Sequence, residues 1–196
     1  MTTKGGVDME QQRREALIAV LQDSDPRVRD AAARALDQLD QRAHSDELLQ
    51  QLAQGSREKK ISALFGLEAV DSDEIKAALC AALKDADADV RAVAAQVVGK
   101  KRYPTALNDL VNCLQDAHPA VAVYAAQALA GYRDARLVPY FETIYRRADE
   151  EVQCACLTAL GEMGFVAAEA TLIAGLSSPL APVRLAAAEA LGKLID

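Results

Sequence analysis

The 196 residues are 51% apolar but only 4% aromatic, with no Trp. A core of that make-up rests on Ala, Leu and Val, which suits closely packed helices better than a β-sandwich, and the remaining bulk (Glu, Gln, Arg, Lys) also favours helix. A formal net charge of −7 argues against a general nucleic-acid binder, which needs a basic stripe to displace counterions from phosphates. No apolar run of 18 residues occurs, so no membrane span is expected.

Residues 1–8 contain one Lys and no apolar stretch. They do not resemble a secretory signal, and Thr2, Thr3, Gly5 and Gly6 read as a flexible tail. From residue 9 onward the chain repeats every 31 residues, six times, without insertion or deletion. The repeats fall at about 9–40, 41–71, 72–102, 103–133, 134–164 and 165–196. A fixed period in this range means stacked supersecondary units forming a single domain over 9–196.

The first repeat serves as the template. Helix A is expected from about Met9 to Gln22 and helix B from about Pro26 to Leu39. Asp25 suits the N-cap of helix B, and Pro26 suits its first helical position, where a missing N–H costs nothing. The cap column runs Asp25, Ser56, Asp87, His118, Asp149, Leu180, with Ser177 or Ser178 able to take over in the sixth repeat. The expected core columns are Leu17, Leu48, Leu79, Leu110, Phe141 and Leu172 in helix A, and those beginning at Val28, Ala32, Leu36 and Leu39 in helix B. Spacings of four, four and three put the latter on one helical face. The Ala32 column (Ala32, Ala63, Ala94, Ala125, Cys156, Ala187) is uniformly small, which lets helices A and B approach closely.

The stretch Asp25-Pro26-Arg27-Val28-Arg29-Asp30-Ala31-Ala32-Ala33-Arg34-Ala35-Leu36 resembles the second helix of a HEAT-like repeat, and Ala181 to Gly192 restates it. The closest subtype is the short HEAT-like repeat of phycobilisome lyases, also used in designed helical-repeat scaffolds. The resemblance implies an all-α fold, an α-solenoid (α-α superhelix) of six 31-residue antiparallel helix pairs, with the second helices lining the concave face. It also implies Asp and Arg columns that pair between repeats. That ladder is incomplete here, because column 29 loses its cation at Ala122 and Gln153, and column 23 its Asp at Arg147 and Ser178.

Opposite the core columns, at about 100° per residue, helix B presents columns 27, 30, 34 and 37. These change type from repeat to repeat while the core columns barely vary, as a binding surface on a constant scaffold requires. The candidate partner-binding residues are Arg27, Arg34, Glu58, Ile61, Phe65, Asp89, Gln96, Val123, Gln127, Glu151, Cys154, Thr158, Leu185 and Glu189. Ile61, Phe65, Val123 and Leu185 are more apolar than a solvent face warrants. Either they form a shallow groove with acidic rims, able to take a helix or peptide, or tight curvature buries them against one another.

Other sites are weaker. Cys80, Cys113, Cys154 and Cys156 form no CxxC, and Cys154 and Cys156 point about 200° apart on a helix, so all four read as reduced thiols in a cytoplasmic protein. His44 and His118 suit exposure or capping. HEAT-like iron hydroxylases use His-Glu motifs, and no His-Glu dipeptide occurs here. HEAT-like DNA glycosylases use basic and aromatic side chains on a face that here carries Glu58, Asp89, Glu151 and Glu189. The expectation is a non-enzymatic adaptor for a protein or peptide, with no catalytic residue, metal, cofactor, nucleic acid or membrane. The alternatives are a phycobilin lyase or isomerase, implied by the repeat subtype, and a structural subunit. The C-terminal helix is as consensus-like as an internal one, which adds homodimerisation through the C-terminal repeat as a further expectation.

Overall fold

The computed structural model describes residues 4–194. Among them are eleven α-helices: α1 (Lys4–Val20), α2 (Pro26–Gln54), α3 (Arg57–Leu67), α4 (Asp73–Ala82), α5 (Ala88–Lys101), α6 (Leu107–Cys113), α7 (Pro119–Ala130), α8 (Val138–Tyr145), α9 (Glu150–Met163), α10 (Glu169–Gly175) and α11 (Ala181–Leu191). Short 3₁₀ turns lead into α6, α8 and α10. The protein is an all-α solenoid. α1 begins inside the segment expected as a tail, and residues 1–3 lie outside the described part.

The chain divides into two compact units, Met1–Gln50 and Gln51–Asp196. The division falls inside α2. Helix B of the first repeat and helix A of the second were expected to be separate, but they form one 29-residue helix, so the first two repeats lack the expected turn between them. The reason is local. Later repeats break here with three devices. A residue adopts left-handed φ at Arg102, Arg133 and Gly164, a conformation that terminates helices. Ser72 and Asp134 then accept backbone N–H groups from Ile75 and Arg136. Pro104 opens the following turn of the fourth repeat. The junction of the first and second repeats has Asp40, Gln41 and Arg42 at these positions. Gln41 is a poor cap, no Gly or Pro occurs between Ala31 and Gln54, and Asp40 remains helical while ion-paired to Arg14. Arg42→Pro, which copies Pro104, should therefore lower stability by about 3 kcal/mol and reduce helicity, because proline in a helix interior removes a hydrogen bond and clashes with the preceding turn. Far-UV circular dichroism during thermal melting checks this, and an unchanged melt would mean that a turn lies at Asp40.

Within the second unit the order is regular. α4 packs on α5, α6 on α7, α8 on α9 and α10 on α11, while the second helices α3, α5, α7, α9 and α11 pack in series. The caps match the column expected of them at Ser56, Asp87 and Asp149, whose side chains accept from Lys59, Val90 and Val152 N–H. His118 makes no side-chain cap bond, while its own N–H donates to Asp116. In the sixth repeat Ser178 Oγ accepts the Leu180 N–H.

The small column is fully buried from Ala32 through Ala63, Ala94, Ala125, Cys156 and Ala187. The Val28 column is buried from Val90 onward, but Val28 itself is 38% exposed and Lys59 is exposed. Column 37 is corrected in part: it is expected on the open face, and Asp37 and Gly192 are exposed and Glu68 half-buried, but Gly99, Ala130 and Gly161 are buried. A Cβ on Gly99 would lie 2.5 Å from Ala128 Cβ, and one on Gly161 would lie 2.5 Å from Ala190 Cα. Glycine there lets α5 meet α7, and α9 meet α11, nearly backbone to backbone. At the α7–α9 junction the equivalent position is Ala130, so a methyl group stands where the flanking junctions have none.

Candidate binding face on the second helices

The edge of the second unit is tied by an ion-pair ladder. Lys60 Nζ lies 2.7 Å from Asp85 Oδ2. Arg91 makes a bidentate pair with Asp116, at 2.8 and 2.9 Å, and its Nη1 also donates to the carbonyls of Asp85 and Ala86. Each rung joins one repeat to the next. The next two rungs are missing, as expected, because Ala122 faces the Arg147 position and Gln153 the Ser178 position. Gln153 instead donates to the Tyr145 carbonyl. A cleft of about 270 Å³, lined in part by Asp116, Ala122, Ile144, Arg147 and Val152, opens at the first missing rung.

The Arg91 guanidinium holds the Asp116 carboxyl below its ordinary value of 3.8, against the opposing effect of burial. A carboxylate whose folded pKa is depressed stabilises above its unfolded pKa, and the contribution is lost as pH falls through the folded pKa. The side chains are only 19% and 13% exposed, so screening is partial. Arg91→Met should cost about 1–3 kcal/mol at pH 7, the range for hydrogen bonds to charged groups. The gap from the parent protein should narrow below about pH 4. Urea unfolding across pH 2–7 measures both, and a pH-independent difference would assign the effect to packing alone.

The fourteen sequence-selected residues divide between the two units. Arg27 and Arg34 belong to the first, where Arg27 is bound 2.6 Å from Asp25. The other twelve lie on α3, α5, α7, α9 and α11. Glu58, Phe65 and Ile61 are on α3, with Phe65 46% exposed and Ile61 half-buried. Asp89 is ion-paired to Arg57, which neutralises one expected acidic rim. Leu185 and Glu189 are exposed on α11, Leu185 at 61%. Column 30 thus runs from half-buried Ile61 through buried Ala92 to half-buried Val123 and Cys154, then exposed Leu185. The interior members are partly or wholly covered, Val123 and Cys154 still line an open cleft, and Leu185 on α11 stays exposed.

Five of the residues meet in one place. Val123 and Gln127 of α7 and Glu151, Cys154 and Thr158 of α9 line a cleft of about 230 Å³, completed by Ala155, Ala159 and Glu162. Beside it, Gln96 and Gln127 line a second cleft of about 320 Å³ with Lys100, Arg102, Tyr124 and Glu162. Tyr124, Ala155 and Glu162 were not selected from the sequence. They stand in columns 31 and 38, which share a face with column 34 at helical spacing, and that spacing was the available signal. Cys154 is half-buried, and burial pushes its thiol pKa up, which disfavours the nucleophilic thiolate. Cys113 and Cys156, deeper in the stack, are pushed up by burial to about 11 and about 12. Among the described residues, no group of three or more His, Cys, Asp or Glu could hold a metal ion. No helix among them is long and apolar enough to cross a membrane.

The HEAT repeats family model matches residues 45–130, 76–152 and 138–196, and the HEAT repeat model matches residues 14–42. The chain is a HEAT-repeat protein. Among solved structures, this HEAT-repeat protein is similar to a chain in the complex of CpcE and CpcF of phycocyanin lyase from Nostoc sp. PCC7120. The identity is 25% over 76% of this chain and 64% of that one, with a TM-score of 0.66. The chain therefore spans just under two thirds of that neighbour's length. It is also similar to an engineered protein, at 20% identity over 92% of this chain and 95% of the other, with a TM-score of 0.57. A designed armadillo repeat protein matches at 20% identity over 92% and 99%, with a TM-score of 0.55. These two likenesses bear on the fold alone. A comparison with curated proteins gives no match. The HEAT-like resemblance read from the Asp25–Leu36 stretch is thereby established.

Proposed function

We propose that this HEAT-repeat protein is a non-enzymatic adaptor that binds a protein or peptide segment in the concave groove formed by its second helices, along α5, α7 and α9. The observation that carries this reading is the pair of adjoining clefts over these helices, which share Gln127 and Glu162, on helices whose small column Ala94, Ala125 and Cys156 is buried. Their lining mixes apolar floor with uncommitted amides and carboxylates, the composition of a recognition surface. At about 230 and 320 Å³ they fall at or below the ~300–1,000 Å³ usual for whole small-molecule ligands, so each suits side chains of a partner. The test is affinity capture by the immobilised protein, compared with a Gln96→Ala/Gln127→Ala variant whose melting temperature is unchanged. A partner retained equally by both would refute the reading.

A lyase-like activity is the second reading, favoured by the Nostoc phycocyanin lyase likeness. It predicts coloured protein after co-expression with a bilin supply, and a colourless product would remove it. Self-association is a third element of the proposal, because Ile173, Leu176 and Leu185 of the last repeat are exposed. Light scattering showing only monomer at high concentration would refute it.

A further inference from the structure

We infer that the cleft between α7 and α9 receives a long cationic side chain, arginine or lysine, from the bound segment. The inference rests on the adaptor reading and specifies what the partner must carry. Three observations converge on it. First, the cleft has a place in the packing. It lies between α7 and α9, second helices that pack in series, and adjoins the cleft that Gly99 and Ala128 help to line between α5 and α7. Second, its floor is aliphatic: Val123, Ala155, Ala159 and the half-buried Cys154. Third, the only charged groups in its lining are the carboxylates of Glu151 and Glu162. Neither is in any of the ion pairs found among the described residues.

The two glutamates are eleven residues apart on α9, so they stand on one face, about 16 Å apart along its axis. They bracket the aliphatic floor. Glu162 also borders the neighbouring cleft beside Lys100 and Arg102, which leaves Glu151 as the carboxylate without a cation beside it in either cleft. A wholly apolar side chain would leave that rim unmatched, and an acidic one would be repelled. Lys and Arg carry an aliphatic stem ending in a charge, which matches an aliphatic floor with an acidic rim. The cleft volume of about 230 Å³ exceeds that of several waters at ~30 Å³ each, enough for one such side chain and too little for a folded element.

The probe is N-acetyl-arginine methylamide, titrated into the ¹⁵N-labelled protein and followed through the amide signals of Ala155, Thr158 and Ala159. The norleucine and glutamate analogues serve as comparisons. The arginine probe is expected to shift these signals most, norleucine less and glutamate least. Glu151→Gln should weaken the arginine probe roughly two- to five-fold, the range an exposed ion pair supplies, and leave norleucine unchanged. Equal responses to all three probes, shifts confined to other surfaces, or arginine binding indifferent to Glu151→Gln would each overturn the inference. Failure here, with a captured partner still lost on Gln96→Ala/Gln127→Ala, removes only the cationic side chain. Arginine-specific shifts with no partner captured would leave the cleft chemistry standing and count against the adaptor reading.

Discussion

Replacing Phe141 by alanine should destabilise the second unit by about 3–5 kcal/mol, the usual cost of emptying a fully buried aromatic site. Phe141 is completely buried and heads the largest such side chains of the core. It stands on α8, a helix of only eight residues, too short to persist without tertiary packing. α8 packs on α9, so the void would weaken the pair that carries Glu151, Cys154 and Thr158. Stability in a repeat stack is roughly a sum of units and nearest-neighbour interfaces. The loss should therefore appear as reduced hydrogen-exchange protection in α8 and α9 before α3 and α5 are affected. A urea-unfolding free energy within about 1 kcal/mol of the parent would show that the site collapses around the void.

The second large effect is expected at Gly161. In an ordinary exposed helix interior, adding a side chain to glycine stabilises, because glycine costs about 1 kcal/mol relative to alanine. Gly66, exposed in α3, should behave this way, with Gly66→Ala gaining a few tenths to about 1 kcal/mol. Gly161 should do the opposite. A Cβ there would lie 2.5 Å from Ala190 Cα and 3.1 Å from the Ala190 carbonyl oxygen. These are backbone atoms of α11 and cannot rotate away, so the helices must separate. Gly161→Val is expected to cost about 1–3 kcal/mol or more through overpacking. Thermal unfolding of both variants decides the matter, since the signs are opposite. A stabilised Gly161→Val would mean that α9 and α11 are not in backbone contact.

Much of the architecture is legible in the residues because it is written in local and periodic signals. Asp87, Asp149 and Ser56 announce helix starts through their own side chains. The column from Ala32 to Ala187 announces a close approach by being small every time. Three features escaped. The joining of two expected helices into α2 followed from what was missing at Asp40, Gln41 and Arg42, and an absent cap is less conspicuous than a present one. Column 37 was assigned to the open face because 100° arithmetic allows a helix one buried side. In the stack each second helix contacts its own partner and its neighbours in series, so the buried arc is wider, and it takes in Leu64, Ala95, Ala126 and Leu157 as well. Of the candidate face, the sequence marked Val123, Gln127, Glu151, Cys154 and Thr158 as variable positions on one side. It did not mark Glu162 or Tyr124, which reach the clefts from adjoining columns.

The sequence by itself determined the period, the family, most helix starts and the identity of the small buried column. Each is a property of residues close in the chain or repeated at fixed spacing, so no distance between helices is needed to read it. Only the tertiary structure decided where the clefts open, which variable residues meet in them and which acidic groups are already neutralised, as Asp89 is by Arg57. Those outcomes depend on how closely successive second helices approach. That distance is set by residues such as Gly99 and Gly161, where an added Cβ would collide with the neighbouring helix, and by rungs present at Arg91 and absent at Ala122. Such differences are small in the sequence and become large only when helices pack against one another.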